Sequence, residues 1–290
     1  VEEVIVAICL FIVLGISPPT SPRANSLLWK ITLPSGAVSH IFGTIHLQDS
    51  TVFRQRDTVL SLVRTCYTYA SELHLDSVLK MMQPSAIFLT SKTLYNLADT
   101  SEVEQICTEL EKRLPGMKPI CSRLKPGAIG MLIALGSTEK TAPVSIDQFL
   151  WNLAKEHQPR FVGLETLTEQ IAVLDQMSTS MLLEQINQLS REDSLAQVMP
   201  GMYAMEELDA IAGIGQDTSG AYSGMMGQLN DERNVLMVTR MQDMLTKGNA
   251  FIAIGALHLT GPQSVLTLLD QRGYSVTPVM GGRRSQWLDK

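Results

Sequence analysis

Two of the five histidines in this 290-residue chain close the same local pattern. His46 ends "HIFGTIHL" (40–47) and His258 ends "FIAIGALHL" (251–259). Each follows a glycine, Gly43 or Gly255, by three positions, after an apolar run and before a leucine. With 20 glycines and 5 histidines, about 0.3 such G-x-x-H strings are expected by chance, so a pair with shared flanks carries information. Two carboxylates sit in comparable places, Glu72 after "YAS" and Glu165 at the end of "RFVGLE". Two imidazoles with one or two carboxylates make a donor set for a divalent metal with an open position for water. The same set works without metal, an imidazole acting as general base oriented by a carboxylate. The competing readings are structural: a histidine satisfied in the core, or a carboxylate favoured by the dipole of a following helix such as "TLTEQIAVL". His74 shares a strand face with Glu72, so either could point at the site. His40 shares a face with His46 but lies at the strand's opposite end, and is left out.

These side chains are far apart in sequence, so only a fold that gathers strand ends can bring them together. The carboxyl ends of strands in an open parallel α/β sheet do so, because the loops diverge there. "LLWKITLPSGAVSHIFGTIHL" reads as two strands, Leu28–Leu33 and Val38–His46, around a "PSG" turn. "FRQRDTVLSLVRTC" has helical spacing, and "YTYASELHL" is a third strand. From Asp76 to about Ile146 the pattern is helical, broken at Pro84, "LPG" and "KPG". "SIDQFLWNLAKEHQ" is an amphipathic helix with Ser145 or Asp147 near its start, and "PRFVGLE" is a short strand after it. Residues 166–247 again read as helical, stopping at Lys247–Gly248. A strand "AFIAIGALHL", a helix "PQSVLTLLDQRG" and a strand "YSVTPVM" follow. The Gly- and Ser-rich stretch 213–228 has neither a dinucleotide fingerprint nor a Walker lysine and reads as a mobile loop. The expected class is α/β: a central, mostly parallel sheet with a strand-end active site, flanked by many helices. It forms a single domain over 27–290, with helical insertions at about 77–146 and 170–247.

Composition narrows the function. At 45% hydrophobic and 18% charged, the chain can bury a sizeable core, and its many methionines read as filler. A net charge of −6 argues against nucleic acid as a partner. The one compact basic pair, Arg283–Arg284, reads as a solvated tail. No G-x-S-x-G elbow is present and no cysteine lies near a strand-end histidine, which disfavours covalent catalysis. Residues 4–16, "VIVAICLFIVLGI", followed by "SPPTSPRANS", suit a signal-peptide apolar region or an N-terminal membrane anchor plus linker over 1–26. Glu2 and Glu3 stand where basic residues usually precede such a region, and a buried element of the domain is the competing reading. Export to the periplasm or the extracellular space is expected, with membrane association through this segment. Cys107 and Cys121 flank "RLPGMKP" and are candidates for a disulfide in an oxidising compartment. No C-x-x-C pair suggests a zinc knuckle.

The arrangement resembles the TraB/PrgY/GumN family, which includes the TIKI proteins and sits in the erythromycin-esterase/ChaN-like superfamily. The similar segments run in order from "LLWKI", "HIFGTIHL" and "ASEL" through "SIDQFLWNLAKE" and "VGLETLTEQIAVL". They continue with "ERNVLMVTRMQDML" and "FIAIGALHLTGPQSVLTLLDQRGYSVTPV". The resemblance implies an α/β fold with both G-x-x-H histidines and a strand-end Glu in the active site. The TIKI branch is described as metal-dependent and proteolytic, using manganese or cobalt. Carried over by position, His46, Glu72 and His258 become metal ligands. Glu165 in "GLET", Arg233 and Asn234 in "ERN" and Asp147 in "SID" are further motif positions. The expectation is an exported divalent-metal hydrolase, peptidase-like, acting on a peptide or small molecule. Manganese or cobalt is the expected ion, with zinc as an alternative. In it Glu165 is the general base, Arg233 stabilises the oxyanion, and His46 helps to activate water. Two alternatives stand beside it: a metal-independent esterase-like hydrolase, and a non-catalytic protein that sequesters haem, peptide or another ligand.

Overall fold

Apolar runs ending at Thr44, Ser71, Gly163 and Gly255 lie side by side in the computed structural model, which describes residues 25–76, 84–136, 140–216 and 221–289. The apolar segment read as a leader lies outside the described residues. The strands are β1 Leu28–Thr32, β2 Val38–Thr44, β3 Arg54–Arg56, β4 Thr68–Ser71, β5 Arg160–Gly163, β6 Ala250–Gly255, β7 Ser275–Pro278 and β8 Arg284–Gln286. Six form one sheet in the order β5-β4-β6-β2-β1-β7. Strands β5, β4, β6 and β2 are mutually parallel, and β1 runs antiparallel to both its neighbours. β6 is buried at every residue, as a central parallel strand covered on both faces must be. The mostly parallel sheet expected from the sequence is therefore present.

The helices are α1 Asp57–Thr65, α2 Thr100–Arg113, α3 Lys118–Cys121, α4 Pro126–Leu135, α5 Ile146–His157, α6 Leu167–Leu174, α7 Thr179–Ala204, α8 Leu208–Gln216, α9 Ala221–Lys247 and α10 Val265–Gln271. Their starts follow local capping chemistry. Ser145 Oγ accepts from the Gln148 N–H to open α5, and Thr166 with Glu169 makes a reciprocal capping box on α6. α9 stops where Gly248 takes φ +74°, a left-handed conformation a side chain would oppose.

Two apolar clusters hold these elements. The larger surrounds the sheet and takes in Trp151 of α5, Met237 and Met241 of α9 and Leu269 of α10. The second joins α2, α3, α4 and the start of α7 through Val103, Ile106, Cys121, Ile129 and Leu182. The Cys107–Cys121 disulfide lies inside this second cluster. α7 links the clusters, with Leu182 in the second and Tyr203 in the first.

Four local expectations are corrected. The helix read from Phe53 begins at Asp57, because Arg54–Arg56 pairs as β3 with β8. Arg284 is accordingly in a strand and not in a solvated tail. Beside it, Arg56 is buried and neutralised by Glu206, with Arg56 Nη2 2.9 Å from Glu206 Oε2, as a buried charge requires. The Gly- and Ser-rich stretch is helical over its described residues, 213–216 in α8 and 221–228 in α9. Glycine's low helix propensity is a weak prior of about 1 kcal/mol per residue, which the cooperative continuation of a long helix outweighs. Strands β2 and β6 also end at Thr44 and Gly255, so His46 and His258 stand just beyond their strands. Among the described residues no helix is long and apolar enough to cross a membrane.

Candidate functional site at the strand ends

The order of the parallel strands sets the order of the site. Glu165 follows β5, Glu72 follows β4, His258 follows β6 and His46 follows β2, along one carboxyl edge. Backbone bonds extend the pairing past the strands: Leu164 N–H donates to Ser71 O at 2.8 Å and Glu165 N–H to Glu72 O at 2.7 Å. The residue after each strand is thereby fixed to its neighbour.

The glycines of the two G-x-x-H strings have separate physical jobs. A Cβ on Gly43 would lie 2.8 Å from Leu259 Cδ1 and 3.1 Å from Ala256 Cα. Its absence lets the short helical turn Ala256–Leu259, which carries His258, pack onto β2. Gly255 supplies a backbone N–H that donates to Glu72 Oε1 at 2.7 Å.

Arg233 of α9 reaches into the edge between the carboxylates. Its Nε lies 2.7 Å from Glu165 Oε1, and Nη2 lies 2.7 Å from Glu165 Oε2 and 3.1 Å from Glu72 Oε2. Gln170 Nε2 adds a bond to Glu165 Oε2 at 2.9 Å. All four side chains are buried. Burial disfavours the charge on Arg233, but Glu165 and Glu72 outweigh that and raise its basicity. Burial raises the Glu72 carboxyl above its usual range, opposed by Arg233 and His46.

Each imidazole has a close partner at Nδ1, through a hydrogen bond for His258 and through an ion-pair contact outside hydrogen-bond geometry for His46. His258 Nδ1 lies 2.6 Å from Asn234 Oδ1, while Asn234 Nδ2 donates to Gln263 O at 2.9 Å. That second bond orients the amide, so Oδ1 faces the ring and accepts its proton. The Nε2 of His258 therefore presents a lone pair, 3.6 Å from Glu72 Oε1. Burial, then the positive charges of Arg233 and His46, push its pKa well below the ordinary value. His46 Nδ1 lies 2.6 Å from Asp147 Oδ2. Burial lowers the His46 pKa, but the Asp147 carboxylate outweighs it and the net shift is upward. His74 turns away, its ring 5.0 Å from Trp151 and 6.1 Å from Phe161, which leaves Glu72 facing the edge. His40 pairs across from Lys30 at the far end of β2.

All nine residues singled out in the sequence are thus positioned at or directly behind this edge. Several more were not legible. Tyr203 of α7 donates its hydroxyl to Gly43 O at 2.6 Å from a buried position. Gln170 holds Glu165. Asn230 lies one turn before Asn234 on α9, buried, with its Oδ1 unpartnered. Its spacing to Arg233 and Asn234 in "NDERN", three and four residues, was the available signal. The Nε2 atoms of His46 and His258 and Thr44 Oγ1 are likewise buried without a hydrogen-bond partner. Orphaned buried polar atoms are uncommon, and a group of them at one edge points to a bound water, ion or substrate.

The donor chemistry fits a divalent ion: two oriented neutral-capable imidazole nitrogens beside a carboxylate. Among the described residues, however, no group of three or more His, Cys, Asp or Glu side chains is arranged to hold one. The fit is one of chemistry, with the carboxylates engaged by Arg233. No curated protein and no solved structure matches the chain significantly. Residues 27–278 match the profile of the TraB/PrgY/gumN family, most of the chain, and the chain belongs to that family.

Proposed function

We propose that this protein is an exported, divalent-metal-dependent hydrolase acting on peptide bonds or related small carbonyl substrates. The observation that carries the reading is the pair of buried, unpartnered Nε2 atoms of His46 and His258 on the strand edge that also carries Glu72, whose Oε1 lies 3.6 Å from His258 Nε2. His46, His258 and Glu72 would hold the ion, manganese or cobalt with zinc as the alternative. When bound it would supply Lewis acidity and make water a stronger acid. The other residues have roles of their own. Asp147 and Asn234 orient the imidazoles, and Asn234 fixes one tautomer. Glu165 accepts the proton from the attacking water. Arg233, anchored by two carboxylates, directs positive charge toward a developing oxyanion.

Export is supported by the buried Cys107–Cys121 disulfide, since such bonds persist in oxidising compartments. The apolar segment 4–16 would direct it there, and it would associate with the membrane if retained.

The test is dialysis against chelator, then addition of manganese, cobalt or zinc, with hydrolysis of a fluorogenic peptide library by wild type and His46→Ala. Activity lost on chelation, restored by one ion and absent from the variant is expected. Activity indifferent to both treatments would sink the reading. One observation favours a second version without metal: His46 and Asp147 already form a base-and-orienter pair, while Arg233 already engages Glu72 and Glu165. Elemental analysis of the active protein separates the two.

A further inference from the structure

An ion pair outside the carboxylate and imidazole groups holds the main chain on both sides of Glu165. Arg240 Nη1 donates to Leu164 O, the carbonyl just before Glu165, at 2.7 Å. The same guanidinium pairs with Glu169, Nη1 to Oε2 at 2.8 Å and Nη2 to Oε1 at 2.6 Å. Glu169 Oε2 in turn accepts the Thr166 N–H, the amide just after Glu165, at 2.7 Å. The peptide groups flanking Glu165 are thus joined through one two-toothed ion pair.

Arg240 also stands seven residues, two turns, after Arg233 on α9. One face of one helix therefore reaches Glu165 twice, with Arg233 on its carboxylate and Arg240 on its backbone. We propose that Arg240 is a positioning residue for Glu165, fixing the carboxylate through the chain that carries it. The proposal rests on the reading that Glu165 acts on substrate.

A purely stabilising role accounts poorly for this pair. The side chains of Arg240 and Glu169 are 32% and 36% exposed, and ion pairs that wet contribute little to stability. Their geometry is nevertheless specific. Arg240 satisfies a carbonyl and both oxygens of a carboxylate at once, which a lysine ammonium, a point charge without the planar fork, does not reproduce. Arg240 also holds the Glu169 carboxyl down at about 2, so the pair stays charged at any working pH.

The experiment uses Arg240→Gln, Arg240→Lys and Glu169→Gln in the full chain. Three readouts are taken: thermal midpoint, amide hydrogen exchange at Thr166, and steady-state kinetics on a library peptide that wild type cleaves. Arg240→Gln should lower kcat by about 10- to 100-fold with KM within about twofold, as expected for a misplaced reacting group. Exchange at the Thr166 amide should speed by about tenfold or more, while the midpoint falls by less than about 4 °C. Arg240→Lys should be intermediate in both exchange and kcat. If Arg240→Gln does not fold, Glu169→Gln carries the same comparison. Unchanged kcat, or a lower kcat with unchanged exchange, overturns the proposal. If wild type cleaves no peptide, the hydrolase reading fails by itself. The ¹³C resonance of the Glu165 carboxyl then decides the positioning, a shift in Arg240→Gln supporting it and an unmoved signal overturning it.

Discussion

Arg233 closes a two-toothed salt bridge on Glu165, Nε to Oε1 and Nη2 to Oε2 both at 2.7 Å, and extends from the same Nη2 to Glu72 at 3.1 Å. One buried cation thus stands between two buried anions that belong to adjacent strands. Among the described residues the other hydrogen-bond partners of the two carboxylates are uncharged: Glu165 takes Gln170, and Glu72 takes the Gly255 N–H.

Removing that cation should destabilise the fold as well as the site. Arg233→Met leaves two desolvated carboxylates facing one another, and breaking a buried pair from one side costs about 3–5 kcal/mol. The Glu72 carboxyl, already raised by burial, should rise further. Urea unfolding at neutral pH measures the first effect. Loss well under 1 kcal/mol would mean that the network is not held as described.

Asn234 is the residue that decides which nitrogen of His258 is available. Asn234→Ala removes the acceptor from Nδ1 and lets the ring choose its tautomer and rotate. If His258 holds a metal, affinity for manganese or cobalt should fall by about 10- to 100-fold, the usual cost of losing such a partner. Isothermal titration of each ion into wild type and variant checks this. Equal affinities would remove Asn234 from the account.

His258 also predicts a pH dependence of stability. Its pKa in the folded protein lies well below 6.5, so between 6.5 and that lower value the unfolded chain binds the extra proton. Stability contributed by the neutral ring is therefore present above pH 6.5 and is lost as pH falls below it. Glu72 and His46 are shifted the other way, their folded forms holding protons more tightly than the unfolded chain does, and so oppose this slope. Urea midpoints at pH 8, 7, 6 and 5 should fall more steeply for wild type than for His258→Gln. Parallel curves would contradict the assigned direction.

The sequence carried the sheet and its edge well because both are written locally. Apolar runs of strand length marked four of its strands, and although these stop short of the histidines and glutamates read at their ends, those residues share one edge. The two G-x-x-H strings signalled the same edge for different reasons, Gly43 through space and Gly255 through its N–H. Local patterns did not reveal what α7 and α9 contribute, since Tyr203, Asn230 and Arg240 look like ordinary polar positions on long helices. Their meaning depends on which strand end each helix crosses. The β3–β8 pairing was hidden for a similar reason: it joins Arg54–Arg56 to Arg284–Gln286, and a three-residue strand has no periodicity of its own. The glycine-rich start of α9 misled in the other direction, weak propensity being overridden by the helix it belongs to.

The second apolar cluster should depend on its disulfide. Cys107 and Cys121 are separated by 14 residues and join α2 to α3. Closing a loop of that size stabilises by about 3 kcal/mol. Thermal melts with and without reductant should therefore differ, and the double Cys→Ser variant should melt like the reduced protein. Indifference to reductant, with free thiols found by mass spectrometry after alkylation, would show that the bond does not form.

Gly43 offers a test that separates the fold from the site. Gly43→Ala places a methyl 2.8 Å from Leu259 Cδ1 and 3.1 Å from Ala256 Cα. The leucine tip can rotate away, but the Ala256 backbone cannot without moving the turn that carries His258. Overpacking of this kind costs about 1–3 kcal/mol. The displacement should also be felt at His258, whose Nδ1 meets Asn234 at 2.6 Å. Gly43→Ala should thus weaken metal binding or turnover by more than its loss of stability explains, and the His258 imidazole resonances should shift. A control at Gly273 sets the scale: a Cβ there meets nothing within 4 Å, although its φ of +86° strains any side chain. Gly273→Ala should lower stability and leave the His258 resonances in place. If the two variants moved those resonances equally, the close approach at Gly43 would not be what positions the second histidine.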